Sequence, residues 1–388
     1  MNNIASPHAS MTPEVAWVLA LCRRDGTVPS EPAAGFDWAA AQSFASRHRL
    51  GPSVYWRLRE QGFPAVPADV REAFEKTFRA TIGTNLAYVC VFLTLLERLE
   101  ARSVRVIALK GPVAAYVQHG NLSARQFGDL DLLVPRAHAT EALDELRDLG
   151  FVPEVRLGER HLRTLLRTGR RELKVTHPTG WVVDLHWESL GAHFAWCRED
   201  ELWDRSAEVD FEGRPVRTLG DVDLALYYCL KAAEDGWSTV YQLLDAARAL
   251  EALDVAGWER LHARAARSGK WRAVGASVVL AGELLGLAVP PRITAFLTDR
   301  TDIGRLVSLA RPRLLSSDAE TISFPRLVTE HLRFLERWRD RASLLYMLAL
   351  QPGERDLVLL PTWLAIPPFL QAVRLARTVR NLTAAIRT

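Results

Sequence analysis

The sequence predicts an α/β fold of the α+β kind, a small mixed β-sheet flanked by N-terminal and C-terminal helical regions. Apolar residues recur at helical spacing over 12–102 and again from 221 onward. The stretch between them breaks instead into short β-rich runs separated by turn residues. Within the first region, polar loops are expected at 26–35 and 62–67, and the strongly apolar helix at 85–99 is expected to lie on the sheet. Strands are expected at 104–109, 129–134, 151–156, 171–176 and 181–187, with a helix at 137–149 between the second and third. A hairpin at 208–217 would turn on Glu212-Gly213. The helices that follow are interrupted at Pro290-Pro291 and by the prolines of 361–368. The expected division is 1–102, 103–220 and 221–388, and no internal repeat or low-complexity tract is visible.

The chemistry concentrates in Arg125-Gln-Phe-Gly-Asp129-Leu-Asp131-Leu-Leu-Val134. Side chains alternate along a strand, so Asp129 and Asp131 leave one face while Leu130 and Leu132 leave the other. Two acids so placed suppress each other's ionisation unless a cation lies between them. Oxygen ligands of this hardness suit Mg²⁺, which is commonly shared between one or two carboxylates and substrate phosphates. The run at 104–109 leads straight into Lys110-Gly111-Pro112 and a short apolar helix, a strand, turn and helix whose free N–H groups and lysine are available to a phosphate. Trp181-Val-Val-Asp184-Leu-His186-Trp187 is a further strand, introduced by Pro178-Thr-Gly180, and its period of two sets Asp184 and His186 on one face. His186 reads either as a ligand or base, or as a packed and hydrogen-bonded histidine. Trp181, Trp187 and Trp237 read as base-stacking or as core residues.

The order Leu-Lys-Gly, then Arg-x-x-x-Asp-x-Asp-Leu-Leu-Val, then Val-Asp-Leu-His-Trp resembles the nucleotidyltransferase superfamily of the DNA polymerase β type. Within it the likeness is to the bacterial branch known as uncharacterised nucleotidyltransferases. It extends to the lead-in around Arg47-His-Arg-Leu-Gly51-Pro52, the helices of 221–250 and the tail Pro361-Thr-Trp363-Leu-Ala-Ile-Pro367. The resemblance implies a nucleotidyltransferase core sheet and two Mg²⁺ ions, held by Asp129, Asp131 and Asp184, with a nucleoside triphosphate as substrate. It assigns Lys110 and Arg125 to the charge on the phosphates, and Gly111 to close approach of the backbone to them. There are departures. Gly111 is followed by Pro112, which has neither hydroxyl nor N–H, where the superfamily usually has serine or glycine. The later helix reads Lys231-Ala-Ala-Glu234-Asp235-Gly-Trp237 where the branch tends to show His-x-x-Lys-His-x-Trp. Asp245 fits the branch's helical pattern and either faces the site or forms a salt bridge.

The expected activity is transfer of a nucleoside monophosphate, AMP, to a hydroxyl of a small molecule, peptide, protein or tRNA. The alternatives are a toxin-like enzyme that modifies RNA, for which Lys-Gly, Arg and Asp-x-Asp also have precedent in order, and a nucleotide-binding module that has lost its chemistry. Retention of three acids and the lysine disfavours the last, because a dead site has no reason to keep a costly cluster of like charges. A formal net charge of +3 is too small to argue for nucleic acid by itself. Among the basic residues lysines are rare, only Lys76, Lys110, Lys174, Lys231 and Lys270, which gives the one in Leu-Lys-Gly more weight. Arg374, Arg377 and Arg380 share one face of the last helix, read either as solvated or as a contact for lipid, tRNA or a partner. The cysteines Cys22, Cys90, Cys197 and Cys229 show no metal-type spacing. With no export signal visible, and with the apolar stretch at 357–370 shorter than the ~20 residues of a spanning helix and broken by proline, a cytoplasmic protein without integral membrane association is expected.

Overall fold

The computed structural model describes residues 11–24, 32, 35–155, 157–168, 170–318, 323–361, 363, 364 and 366–387. The loop expected at 26–35 lies mostly outside the described residues, as do position 156 of the third expected strand and Thr362 and Ala365 of the tail. In chain order the strands are β1 (Ile107–Ala108), β2 (Leu130–Leu133), β3 (Val152–Pro153), β4 (Glu172–Thr176), β5 (Val182–His186), β6 (Ala207–Phe211) and β7 (Arg214–Thr218). They form one mixed sheet in the order β3-β4-β5-β2-β1-β7-β6. β2 is parallel to β5 and β1 to β7, and the remaining neighbours are antiparallel.

The fold class is thus the α/β one that the hydrophobic pattern predicts, and each expected strand is present. The third is cut to two residues, and so is the first, where the Val104 N–H still bonds the Leu99 carbonyl of the preceding helix at 2.9 Å. The Leu109 N–H bonds the Asp131 carbonyl at 3.0 Å, and the chain then turns through Gly111 at φ +72°. The hairpin between β6 and β7 turns on Glu212 and Gly213, both at positive φ, the twist that a two-residue connection between right-twisted strands requires.

Alternation along β2, β4 and β5 buries Leu130, Leu132, Leu173, Val175, Val183 and Leu185 on one face. Helix Ala139–Asp148 packs on β5 and adds Ala142, Leu143 and Leu146. Each such aliphatic side chain contributes ~1.5–3 kcal/mol, so this layer fixes which face of the sheet is left for polar groups. Helix Ala68–Ala101 is long and apolar enough, by length and composition, to cross a membrane. From Tyr88 on, its side chains serve the sheet. Phe92 is fully buried edge-on to Phe211 of β6, 5.8 Å between centroids, and Arg98 and Arg102 bond Glu145 at 2.8 and 2.6 Å.

The chain forms two compact units from interleaved segments. One, drawn from Tyr88–Val113, Gly128–Leu219 and Leu335–Thr388, holds the whole sheet. The other, drawn from Met1–Ala87, Ala114–Phe127 and Gly220–Phe334, is helical in its described residues. Its centre is helix Asp221–Glu234, which buries ten residues against helices Val240–Glu251, Val255–Ser268 and Trp271–Leu285. Gly275 lets the last of these meet helix Thr301–Leu315, since a Cβ there would lie 2.7 Å from Ile303 Cδ1. Trp237 is fully buried, with its indole N–H donated to Ser277 Oγ at 2.9 Å, so it is a core residue.

Candidate active site

Parallel pairing of β2 with β5 sets Asp131 directly beside Asp184, and antiparallel pairing of β5 with β4 sets Lys174 beside Asp184 and Glu172 beside His186. With a period of two, all five point away from the apolar layer. Asp131 is 4% exposed, and its Oδ1 lies 3.1 Å from Lys110 Nζ and 3.2 Å from His186 Nε2. Burial alone would raise its carboxyl. The Lys110 ammonium and then His186 outweigh burial and hold it well below the usual carboxylate range. Asp184 is pushed the opposite way, up to about 6, by burial first and then by the charge of Asp131, with Lys174 at 4.0 Å opposing weakly.

Asp131 Oδ2 and Asp184 Oδ1 are both buried with no hydrogen-bond partner. Two carboxylate oxygens without a hydrogen bond, abreast on neighbouring strands and the second 4.0 Å from Lys174 Nζ, are what a hard divalent cation takes up when substrate phosphates complete its shell. Among the described residues no three or more His, Cys, Asp and Glu side chains are gathered so as to hold a metal ion without such help. The residues therefore fit a cation bound jointly with a substrate.

Asp129 precedes β2 and is half-buried. Its carbonyl would lie 3.5 Å from a Cβ on Gly111, so the Lys110-Gly111 turn is held against the entry to β2. Tyr88 secures the same place, a role with no signal in the sequence. Its hydroxyl donates to the Gly128 carbonyl and accepts from the Val182 N–H at 3.2 Å, tying the starts of β2 and β5 together. Burial raises its phenol against the pull of the Val182 N–H, and the charges of Asp129 and Asp184 add to the rise. Glu172 and Lys174 were also passed over. Their alternation on β4 is visible in the sequence, but their pairing with β5 is not. His186 lies between two acids, with Nδ1 3.1 Å from Glu172 Oε2 though not aligned for a hydrogen bond. Trp187 is buried and donates its indole N–H to the Arg170 carbonyl, and Trp181 meets Tyr88 edge-on at 4.8 Å between centroids.

Arg125 belongs to the helical unit. It is 2% exposed and grips Asp245 through Nε at 2.9 Å and Nη2 at 2.8 Å, beneath the Tyr241 ring. Burial would raise Asp245; Arg125 and His119 outweigh it and bring the carboxyl down to about 2. Of the two sequence readings of Asp245, the salt bridge is the one the structure shows. Breaking a buried pair leaves an uncompensated charge. Arg125→Ala is expected to cost about 3–5 kcal/mol in chemical denaturation, and Arg125→Ala with Asp245→Ala distinctly less. Equal losses in the single and double variants would remove the pair from the account. In the same unit Lys231 bonds Glu234 at 3.1 Å and Asp235 at 2.9 Å, and Gln242 donates to Asp235 at 2.6 Å. Glu234 and Asp235 are thus engaged by neighbours on their own and the next helix.

The mixed sheet thus presents paired aspartates beside a lysine-glycine turn. The chain belongs to the family described as uncharacterised nucleotidyltransferase, whose family model matches residues 34–286. It is a transferase enzyme. Comparison with curated protein sequences gives no match. Among solved structures it is similar to the lincosamide antibiotic adenylyltransferase LnuA with lincomycin bound, at 15% identity over 42% of this chain and 94% of that one, with a TM-score of 0.30. A likeness so slight carries nothing about substrate.

Proposed function

We propose that the enzyme moves a nucleoside monophosphate, AMP in the first instance, from a nucleoside triphosphate to a hydroxyl of an acceptor, with Mg²⁺ held by Asp131 and Asp184 and with Asp129 beside them. The observation that carries this is the side-by-side register of Asp131 and Asp184, each with a buried carboxylate oxygen left unsatisfied. Bound there, Mg²⁺ would supply charge stabilisation to the attacking and leaving oxygens. Lys110, paired with Asp131 and 18% exposed along its side chain, reaches the phosphates from the same turn that brings Gly111 close. Asp184, raised toward neutrality, is suited to take up the hydroxyl proton as the new O–P bond forms at the α-phosphorus and pyrophosphate leaves. His186 holds Asp131 from the side opposite its free oxygen, a positioning role. In this reading Arg125 acts through its own unit, where Nε and Nη2 hold Asp245 and Nη1 is buried without a hydrogen-bond partner. The acceptor class of small molecule, peptide, protein or tRNA stays open, and a cytoplasmic setting is part of the proposal.

The test is incubation with each α-labelled triphosphate and Mg²⁺ beside a host lysate, followed by separation of labelled protein, RNA and metabolites. Label is expected in one fraction, with release of pyrophosphate, and the four triphosphates decide the base. Lys110→Ala should weaken triphosphate binding and slow transfer together, because charge on the phosphates grows toward the transition state. Absence of label with all four triphosphates overturns the reading.

A further inference from the structure

The sheet unit carries a second polar cavity, of about 280 Å³, outside the aspartate pair. It is lined by Arg170, Arg355, Arg374 and Arg377 with Glu354 and Asp356. Glu154 stands at its rim, bonded to Arg355. Asp356 is fully buried and already satisfied. It accepts from Gly353 N–H at 2.8 Å and from Arg377 at 2.5 Å, with Arg374 at 3.8 Å. Two guanidiniums remain with unused donors. Arg374 Nε is buried without a hydrogen-bond partner, and Arg170 makes no side-chain hydrogen bond or ion pair among the described residues. Their charges oppose each other, since Arg170 is one of the groups that disfavour protonation of Arg374. The acids offset part of this charge: Asp356 is held by Arg377, and Arg170 is the first of the charges that oppose the upward push of burial on Glu354.

The cavity is built for this crowding. A Cβ at position 353 would stand 2.8 Å from Arg170 Nη2, so only glycine lets that guanidinium lie across the backbone there. The last helix brings Arg374 and Arg377, of the arginine face read as solvated or as a contact, into the lining of this cavity. Guanidiniums with free N–H donors facing one small space match the planar, multidentate geometry of an oxyanion. We propose that this cavity is a binding site for an oxyanion, a phosphate or carboxylate group carried by a small molecule, separate from the triphosphate site. Its size, just below the ~300–1,000 Å³ usual for ligand pockets, fits a compact anion such as phosphate or citrate. Most of its lining comes from residues past 286, where the family match ends, so it belongs to this chain's own C-terminal segment.

Calorimetric titration of the full chain with inorganic phosphate, and separately with citrate, tests this without nucleotide or turnover, so a failed transfer assay leaves it standing. Saturable one-to-one binding of at least one anion is expected, weakened tenfold or more in Arg170→Gln and in Arg374→Gln and unchanged in Lys110→Ala. Arg170 makes no side-chain ion pair among the described residues, so its variant is expected to stay folded and to remain informative even if Arg374→Gln does not. Phosphate binding with no citrate binding assigns a phosphate ligand; the converse assigns a carboxylate. No saturable binding of either anion, or binding retained in Arg170→Gln, overturns the proposal. Loss in Lys110→Ala with retention in Arg170→Gln also overturns it, because the anion then occupies the triphosphate site.

Discussion

Asp131→Asn is expected to abolish nucleotidyl transfer, lowering the rate by about a thousandfold or more, the order of loss seen when a group acting on developing charge is removed. The amide keeps the shape of the side chain and removes the charge that meets Lys110 and His186. Fold loss should be modest, because Lys110 is partly exposed and water can take over some of its solvation. Steady-state transfer and thermal unfolding on the same preparation check this. A variant that retains a tenth or more of the wild-type rate would take Asp131 out of the chemistry. A variant that fails to fold would make it a structural residue instead.

Asp184→Asn should separate activity from stability. Transfer is expected to fall as steeply as in Asp131→Asn, while the metal-free protein becomes more stable near pH 7. The reason is the charge this carboxylate carries in the fold, where burial and Asp131 raise it to about 6. A carboxyl whose folded value lies above its unfolded one favours the native state when protonated. Its ionisation therefore costs stability as pH rises from about 4 through about 6, and the full cost is present at pH 7. The asparagine variant is spared this cost, a gain of about 1 kcal/mol once solvent screening is allowed for. Unfolding curves without divalent metal between pH 5 and pH 7 should show wild type losing stability relative to the variant. Parallel curves over that range would mean that Asp184 does not ionise under strain. Added Mg²⁺ with triphosphate should reverse the order, because a ligand that binds only the native wild type stabilises it.

The two central acids were legible because the strand period is a local property. Asp129, Asp131, Asp184 and His186 could be assigned to faces from alternation alone, and the structure sets Asp131, Asp184 and His186 on the polar face of neighbouring strands. What alternation cannot give is register. Lys174 and Glu172 enter the site only because β4 pairs antiparallel with β5 at those positions, and a shift by one residue would have turned both to the apolar layer. Tyr88 was hidden for another reason. It lies in an apolar helical run, where one aromatic looks like any other, and its function rests on two backbone groups far along the chain. Arg125 shows the limit of motif spacing. The resemblance assigns it to the phosphates, and its place four residues before Asp129 equally suits a clamp on an acid or on backbone carbonyls; that the acid is Asp245, over a hundred residues away, is what no local pattern encodes. Short charged helices such as Glu159–Arg167 and Glu199–Asp204 also escaped, since few apolar positions mark so brief a period.

The interleaving of the two units bears on how the chain is made. Every described strand falls within 107–218, so the whole sheet has been synthesised before residues 220–334 emerge to complete the helical unit. At the ~5–20 residues per second of translation, the helices of 13–60 wait seconds for the segment that covers them. Buried faces such as Val18, Leu19 and Phe44 are exposed in the meantime, the interval in which a nascent chain is open to aggregation or to a chaperone. No cut at a single point separates the two units, so a ribosome stalled near residue 220 carries a sheet lacking its last helices and a helical unit lacking its centre.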